Sequence, residues 1–137
     1  VSGLAARLDE NPDDVEGWMR LGRSYSVLGN VNKAVKAYGE AARRGEGVDP
    51  KLAYAQALMN RARETGNPGV PREAVGVMRD VLRLEPGNGP ALFVLGNAAA
   101  ERGDTETARE HWTALIEQLP EGAPERARLR QRLDALE

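Results

Sequence analysis

The side chains that most often carry catalysis are scarce in this sequence. His111 is the only histidine, cysteine is absent, and no serine stands in a nucleophile-elbow pattern. A metal site needs several converging ligands, whereas a lone histidine directly before Trp112 is more typical of a partly exposed packing residue. The sequence therefore predicts no active site and no metal, and we expect no cofactor.

Acidic residues and glycines, which could also bind ligands, have structural explanations here. The carboxylates flank a predicted helix start, where unpaired backbone N–H groups stabilise negative charge. They are Asp9, Glu10, Asp13, Asp14 and Glu16. The 15 glycines form neither a G-x-G-x-x-G string nor a P-loop, and most fall at predicted helix ends or packing positions. Phosphate binding is not expected.

The charge balance indicates which partners are excluded. Lys and Arg number 19 against 21 Asp and Glu, for a net charge of -2, so no general field attracts nucleic acid or anionic lipid. The arginines at 126, 128, 130 and 132 alternate without interleaved aromatic residues, which favours the polar outer side of a capping helix over a nucleic-acid stripe. No apolar run approaches the roughly 20 residues that span a bilayer.

A set of residues recurs along the chain at one fixed offset. Trp18, Leu21, Gly22, Gly29, Ala34 and Tyr38 are echoed, each 74 positions later, by Leu92, Leu95, Gly96, Gly103, Ala108 and Trp112. Pro12 and Pro86 share this offset, and Pro120 follows Pro86 by 34 positions, the period of the tetratricopeptide repeat. The middle unit is six residues longer, and the breaker cluster at 66–71 accounts for the excess.

The residue types agree with paired helices that pack closely. Gly22, Ala34 and Ala41 would let two backbones approach, while Trp18, Tyr25 and Tyr38 would fill the space beside them. Trp18 and Trp112 are therefore interpreted as core residues. Leu129, Leu133 and Leu136 form an i, i+4, i+7 stripe, which is typical of a helix that caps one end of a repeat array.

We expect an all-α fold: a tetratricopeptide-repeat superhelix of about three helix pairs, with a partial leading helix and a C-terminal capping helix. The predicted helices are 2–9, 15–28, 31–44, 50–65, 71–85, 89–102, 105–118 and 123–136. Gly29, Gly66 and Gly103 should end helices in the left-handed conformation, and Asp49-Pro50 should begin one as a cap followed by proline. Residues 1–137 are predicted to form a single domain, with repeats at about 15–48, 49–88 and 89–122 and a cap at 123–137.

The candidate binding surface is the concave face, formed by exposed positions of the first helix in each repeat. These positions are Met19, Arg20, Arg23, Ser26, Tyr54, Ala57, Asn60, Arg61, Phe93, Val94 and Asn97. The apolar members would receive the apolar face of a guest helix, with Phe93, Tyr54 and Met19 as anchors. The arginines and amides would bond its polar edge or a terminal carboxylate.

Four segments resemble the periplasmic domain of the CycH/CcmI family, which serves bacterial cytochrome c maturation. They are NPDDVEGWMRLGRSY at 11–25, YAQAL at 54–58, ALFVLG at 91–96 and HWTALI at 111–116. The likeness extends over nearly the whole chain and covers Gly17 and Arg23, which the generic repeat does not explain. This sequence departs from the family at Gln56, often acidic there, and in the length of the 66–71 insertion.

The resemblance implies a chaperone that captures apocytochrome c, chiefly by its C-terminal helix, for haem attachment. It implies other maturation components as partners, a periplasmic location, and an inner-membrane anchor upstream; the start at Val1-Ser2-Gly3 is interpreted as that of an excised piece. Two alternatives stay open. One is a co-chaperone clamp for a peptide carboxylate, although Lys51 is the only lysine near the groove, and the other is an assembly scaffold.

Overall fold

The computed structural model describes residues 2–136, and every regular element in that range is an α-helix. The helices are α1 (Ser2–Glu10), α2 (Val15–Val27), α3 (Val31–Arg44), α4 (Val48–Glu64), α5 (Arg72–Leu84), α6 (Gly89–Glu101), α7 (Thr105–Gln118) and α8 (Pro124–Ala135). All eight were predicted, each end lying within two residues of its predicted position, which confirms the all-α class. No helix in residues 2–136 combines the length and apolar character needed to cross a bilayer.

Glycines end three of the helices as predicted. Gly29, Gly66 and Gly103 have φ angles of 77°, 82° and 80°, the left-handed region that a residue with a Cβ rarely adopts. The next helix follows at once in two cases, because Asn30 and Asp104 accept backbone hydrogen bonds as N-caps of α3 and α7. These glycines therefore set the short connections between helices.

The start of α4 differs from the prediction. The helix begins at Val48 with Gly47 as its N-cap, so Asp49 lies inside the first turn and caps nothing. Pro50 is tolerated there because backbone N–H groups of a first turn have no partner within the helix. The expectation that Asp49 would be the cap was wrong because the chain can enter a helix without a side-chain cap.

The residues separate into two compact units, with the division between Val77 and Met78 inside α5. In the first unit α2 packs against α1 and α3, and α3 packs against α4. The ring of Tyr38 lies against Gly22, where an added Cβ would come within 2.7 Å of it. Trp18 is half-buried against the Leu8 core cluster, and its indole N–H donates to the Pro12 carbonyl at 2.7 Å.

In the second unit α7 packs against both α6 and α8. Trp112 is buried against Gly96 as Tyr38 is against Gly22, which confirms its interpretation as a core residue. Leu129 of α8 is buried in the same cluster, and Leu133 and Leu136 pack partly buried against it, as the predicted leucine stripe requires. The repeat boundaries and the single-domain organisation stay predictions.

Candidate protein-binding site

An apolar groove opens in the second unit between the N-terminal turn of α6, the end of α7 and one face of α8. It encloses about 450 Å³ and is lined by Gly89, Pro90, Phe93, Leu115, Leu119, Glu125, Arg128, Leu129 and Arg132. Phe93, predicted as an anchor, is 40% exposed despite its large apolar ring. An exposed ring beside half-buried leucines is a surface that another apolar side chain can cover.

Arg132 of α8 closes one side of this groove. Its Cζ lies 5.5 Å from the centre of the Phe93 ring and 5.9 Å from that of Trp112, and its Nη1 donates to Oδ1 of Asn97 at 2.8 Å. A guanidinium over aromatic faces is stabilised by cation–π attraction. The sequence predicted that Arg132 would lie on the solvated outer side of the cap, whereas it also contacts two rings. Arg126 likewise bonds the Leu119 carbonyl at 3.0 Å.

The first unit carries the predicted residues of α2 at open surfaces. Met19 is half-buried and lines an open cavity of about 590 Å³ together with Arg23, Val15 and Pro50. Arg20 and Arg23 also border a second open cavity of about 650 Å³, beside the strongly exposed side chains of Val27 and Leu28. Ser26 is exposed as well.

Tyr54 in α4 is already engaged within the first unit. Its hydroxyl donates to Oε2 of Glu73 at 3.3 Å, and Nη2 of Arg61 lies 4.0 Å from the same carboxylate. Burial raises the pKa of Tyr54 above its ordinary value, and the negative charge of Glu73 raises it further. Asn60 accepts a hydrogen bond from Gln56 at 3.1 Å. A guest helix meeting these residues would compete with existing polar contacts.

Two predicted groove residues do not face solvent. Ala57 is 4% exposed and Val94 is 7% exposed, so the expectation that they line an open surface was wrong. Each lies immediately beside a buried packing residue, Leu58 and Leu95, and turns toward its helix neighbours rather than away from them. The sequence pattern also missed Leu115 and Leu119, although their i, i+4 spacing on α7 indicates a shared face.

The described part of the chain contains no cluster of side chains suited to binding a metal ion. Between residues 2 and 136, acidic side chains and His111 nowhere gather in a group of three that could hold an ion. The functional side chains that do come together are an exposed aromatic ring, leucines and arginines. Aromatic and arginine side chains are enriched in protein–protein interfaces.

The helix pairs α2–α3 and α6–α7, each with an aromatic ring packed against a glycine, have the architecture of a tetratricopeptide-repeat protein. The chain belongs to the family described as "Cytochrome c-type biogenesis protein H TPR domain", whose model matches residues 1–126. It is 32% identical over 130 residues to cytochrome c-type biogenesis protein CcmH of Escherichia coli (strain K12), covering 91% of this chain and 35% of that protein. The chain thus spans about one third of the length of this relative.

Two further similarities agree with this placement. Cytochrome c-type biogenesis protein CycH of Bradyrhizobium diazoefficiens is 56% identical over 41 residues, which are 30% of this chain and 11% of that protein. Among solved structures, the crystal structure of MamA has a TM-score of 0.72 at 17% identity and covers 97% of this chain and 72% of its own. At that identity the MamA likeness supports the fold alone.

Proposed function

We propose that the chain is a non-catalytic, protein-binding chaperone module. It captures apocytochrome c, chiefly by the C-terminal helix, and holds it for haem attachment during bacterial cytochrome c maturation. Membership of a cytochrome c-type biogenesis family supports the process. The apolar groove beside Phe93 is the observation that carries the binding role.

The groove suits the apolar stripe of an amphipathic helix better than a small polar ligand. Phe93, Leu115, Leu119 and Leu129 offer apolar surface, whereas Glu125, Arg128 and Arg132 stand at its margin. Fully burying a phenylalanine side chain is worth about 1.5–3 kcal/mol, so covering the 40% of Phe93 that is exposed would contribute roughly 1 kcal/mol to the affinity. A chain without haem has an unsheltered apolar stripe to offer, whereas a folded cytochrome has buried it.

The proposed setting is the bacterial periplasm, with the longer protein anchored in the inner membrane and other maturation components as further partners. Family membership supports this setting. Phe93 is the primary anchor of the proposal, with Met19 and Tyr54 as further anchors in the first unit. Because Tyr54 also bonds Glu73, its contribution to binding must be measured together with its contribution to stability.

Titration of the domain with three ligands tests the proposal: full-length apocytochrome c, the same chain lacking its C-terminal helix, and the haem-bound protein. Calorimetry should give the highest affinity for the first. Equal affinity for the truncated chain would show that the C-terminal helix is not the guest segment.

The variant Phe93→Ala should raise the Kd for apocytochrome c about fivefold, because a loss of roughly 1 kcal/mol corresponds to that factor. Leu84→Ala is the matched control, since Leu84 is also an exposed large apolar residue, 50% accessible, but does not line the groove. Circular dichroism should give both variants the parent's helix content. Equal affinities for the two variants would remove Phe93 from the binding site.

A further inference from the structure

A second cavity of the same unit is lined by cationic side chains as well as apolar ones. It encloses about 290 Å³ among the second half of α5, α6 and the start of α7. Its lining comprises Arg79, Leu82, Arg83, Leu95, Arg102, Thr107 and His111. None of these residues is acidic, and none lines the Phe93 groove.

The positive charge of this cavity is only partly balanced by neighbouring carboxylates. Arg83 is bonded to Asp80, and Nη2 of Arg102 lies 3.5 Å from Oδ2 of Asp104. Asp104 divides its carboxylate between Arg102 and the N-cap of α7, where its other oxygen accepts from the Thr107 backbone at 3.2 Å. Arg79 forms no ion pair with any residue in the range 2–136. Three guanidinium groups therefore face two carboxylates, which leaves one cation unmatched.

The cavity also has an apolar side. Leu82 is half-buried and presents carbon surface among the arginines, and the buried side chain of Leu95, 6% exposed, lies behind it. His111 is half-buried and adds a polar ring to the lining. A ligand that satisfies both sides needs one negative group and a short hydrocarbon portion next to it.

We propose that this cavity binds a single carboxylate carried on a short apolar stem, as in the C-terminal residue or a glutamate side chain of a partner polypeptide. The unmatched guanidinium of Arg79 bonds the carboxylate, with Arg102 as the second donor, and Leu82 contacts the stem. One net positive charge fits a monoanion and not a cluster of phosphates. The site is separate from the Phe93 groove and does not require apocytochrome c as the ligand.

His111 provides a direct probe of this cavity because the sequence has no other histidine. Its ring carbon–proton signals can be followed by NMR at fixed pH while N-acetyl-leucine is added. A fragment of this size should saturate the shift at concentrations on the order of millimolar. A second probe, N-acetyl-glutamic acid α-amide, has its carboxylate on the side chain instead of at the terminus. If it saturates the shift at a lower concentration than N-acetyl-leucine, the preferred ligand is a glutamate side chain; if at a higher one, it is a terminal carboxylate.

Two comparison ligands separate the contribution of the carboxylate charge to binding from that of the apolar stem. N-acetyl-leucinamide keeps the stem without the carboxylate and should leave the His111 signals in place. Acetate keeps the carboxylate without the stem and should bind at least several-fold more weakly than N-acetyl-leucine. A response to the amide equal to that of the acid, or a shift that rises linearly without saturation, would overturn the proposal.

Variants then test the two arginines. Arg79→Gln and Arg102→Gln should each raise the half-saturating concentration of N-acetyl-leucine about tenfold, because each removes a charge-assisted hydrogen bond. Arg130→Gln is the matched control, being an exposed arginine on α8 of the same unit that lines neither cavity. An unchanged half-saturating concentration in both pocket variants, or an equal rise in the control, would show that the shift does not arise in this cavity.

Discussion

Gly96 shows how narrowly the repeat constrains a single position. A Cβ added there would lie 2.4 Å from both Cδ1 and Nε1 of Trp112, closer than atoms in contact can stand. The same indole is buried, and within residues 2–136 no hydrogen-bond acceptor meets its N–H. The close approach of ring and backbone therefore takes precedence over satisfying one polar atom. Gly22 and Tyr38 make the equivalent contact in the first unit.

Gly96→Ala should lower the free energy of unfolding by about 1–3 kcal/mol, the usual cost of forcing atoms into a packed core. Helix propensity alone predicts the opposite sign, a gain of about 0.8–1.0 kcal/mol. Gly76→Ala is the control, because Gly76 lies in α5 with no atom within 4 Å of its would-be Cβ, and it should show the gain. Urea unfolding measures both; a stabilised Gly96→Ala variant would contradict the packing argument.

The sequence predicted the role of single residues correctly where one close contact dictates the residue type. It failed to predict exposure where a neighbouring helix decides whether a side chain is covered. The packing roles of Gly22 and Trp112 were predicted correctly. The burial of Val94 was not, because its exposure is decided by helices whose positions the pattern does not contain. Gly17, which the generic repeat left unexplained, is required because a Cβ would come within 2.6 Å of the Asp14 carboxylate that caps α2.

The elements themselves were predictable because their ends are set by local chemistry. Asn30 and Asn88 cap the starts of α3 and α6 by accepting one backbone hydrogen bond each, and left-handed glycines follow the ends of α2, α4 and α6. The contacts of α8 were not predictable in the same way. Its arginines look alike in the sequence and both Arg130 and Arg132 are exposed, yet it is Arg132 that stacks on Phe93 and bonds Asn97. Only the packing of α8 against α7 distinguishes them.

Asn88 allows the capping argument to be tested on α6. Its Oδ1 accepts from the Ala91 backbone N–H at 3.0 Å, so Asn88→Ala leaves that donor without its protein partner. The free energy of unfolding should fall by about 1 kcal/mol, while Asn88→Ser, which keeps an acceptor, should lose much less. Thermal and urea denaturation provide the comparison. Equal losses in the two variants would mean that the Asn88 bond to Glu85, and not the cap, supports the turn.

Across the whole molecule, burial is concentrated in the middle helices of each unit. In the first unit α3 has six buried residues, whereas Leu8 alone is fully buried among the described side chains of α1. In the second unit α6 has seven and α8 has only Leu129. Because local stability follows the apolar contacts that an opening must break, α1 and α8 should open without the rest of their units.

Native-state hydrogen exchange should therefore find the amides in the middle of α8 opening at a free energy at least about 2 kcal/mol below those of α6, roughly a thirtyfold difference in protection. Arg132→Ala should widen the gap, because it removes the Asn97 hydrogen bond and the stacking that join α8 to α6 while leaving the α6–α7 contact intact. Arg130→Ala, which removes an exposed arginine of the same helix, should leave the gap as it is. Equal protection of α8 and α6 in the parent protein would mean that α8 is held by the unit as a whole. The Phe93 groove would then be a permanent feature of the surface, since the helix that supplies Arg128, Leu129 and Arg132 to it could not leave separately.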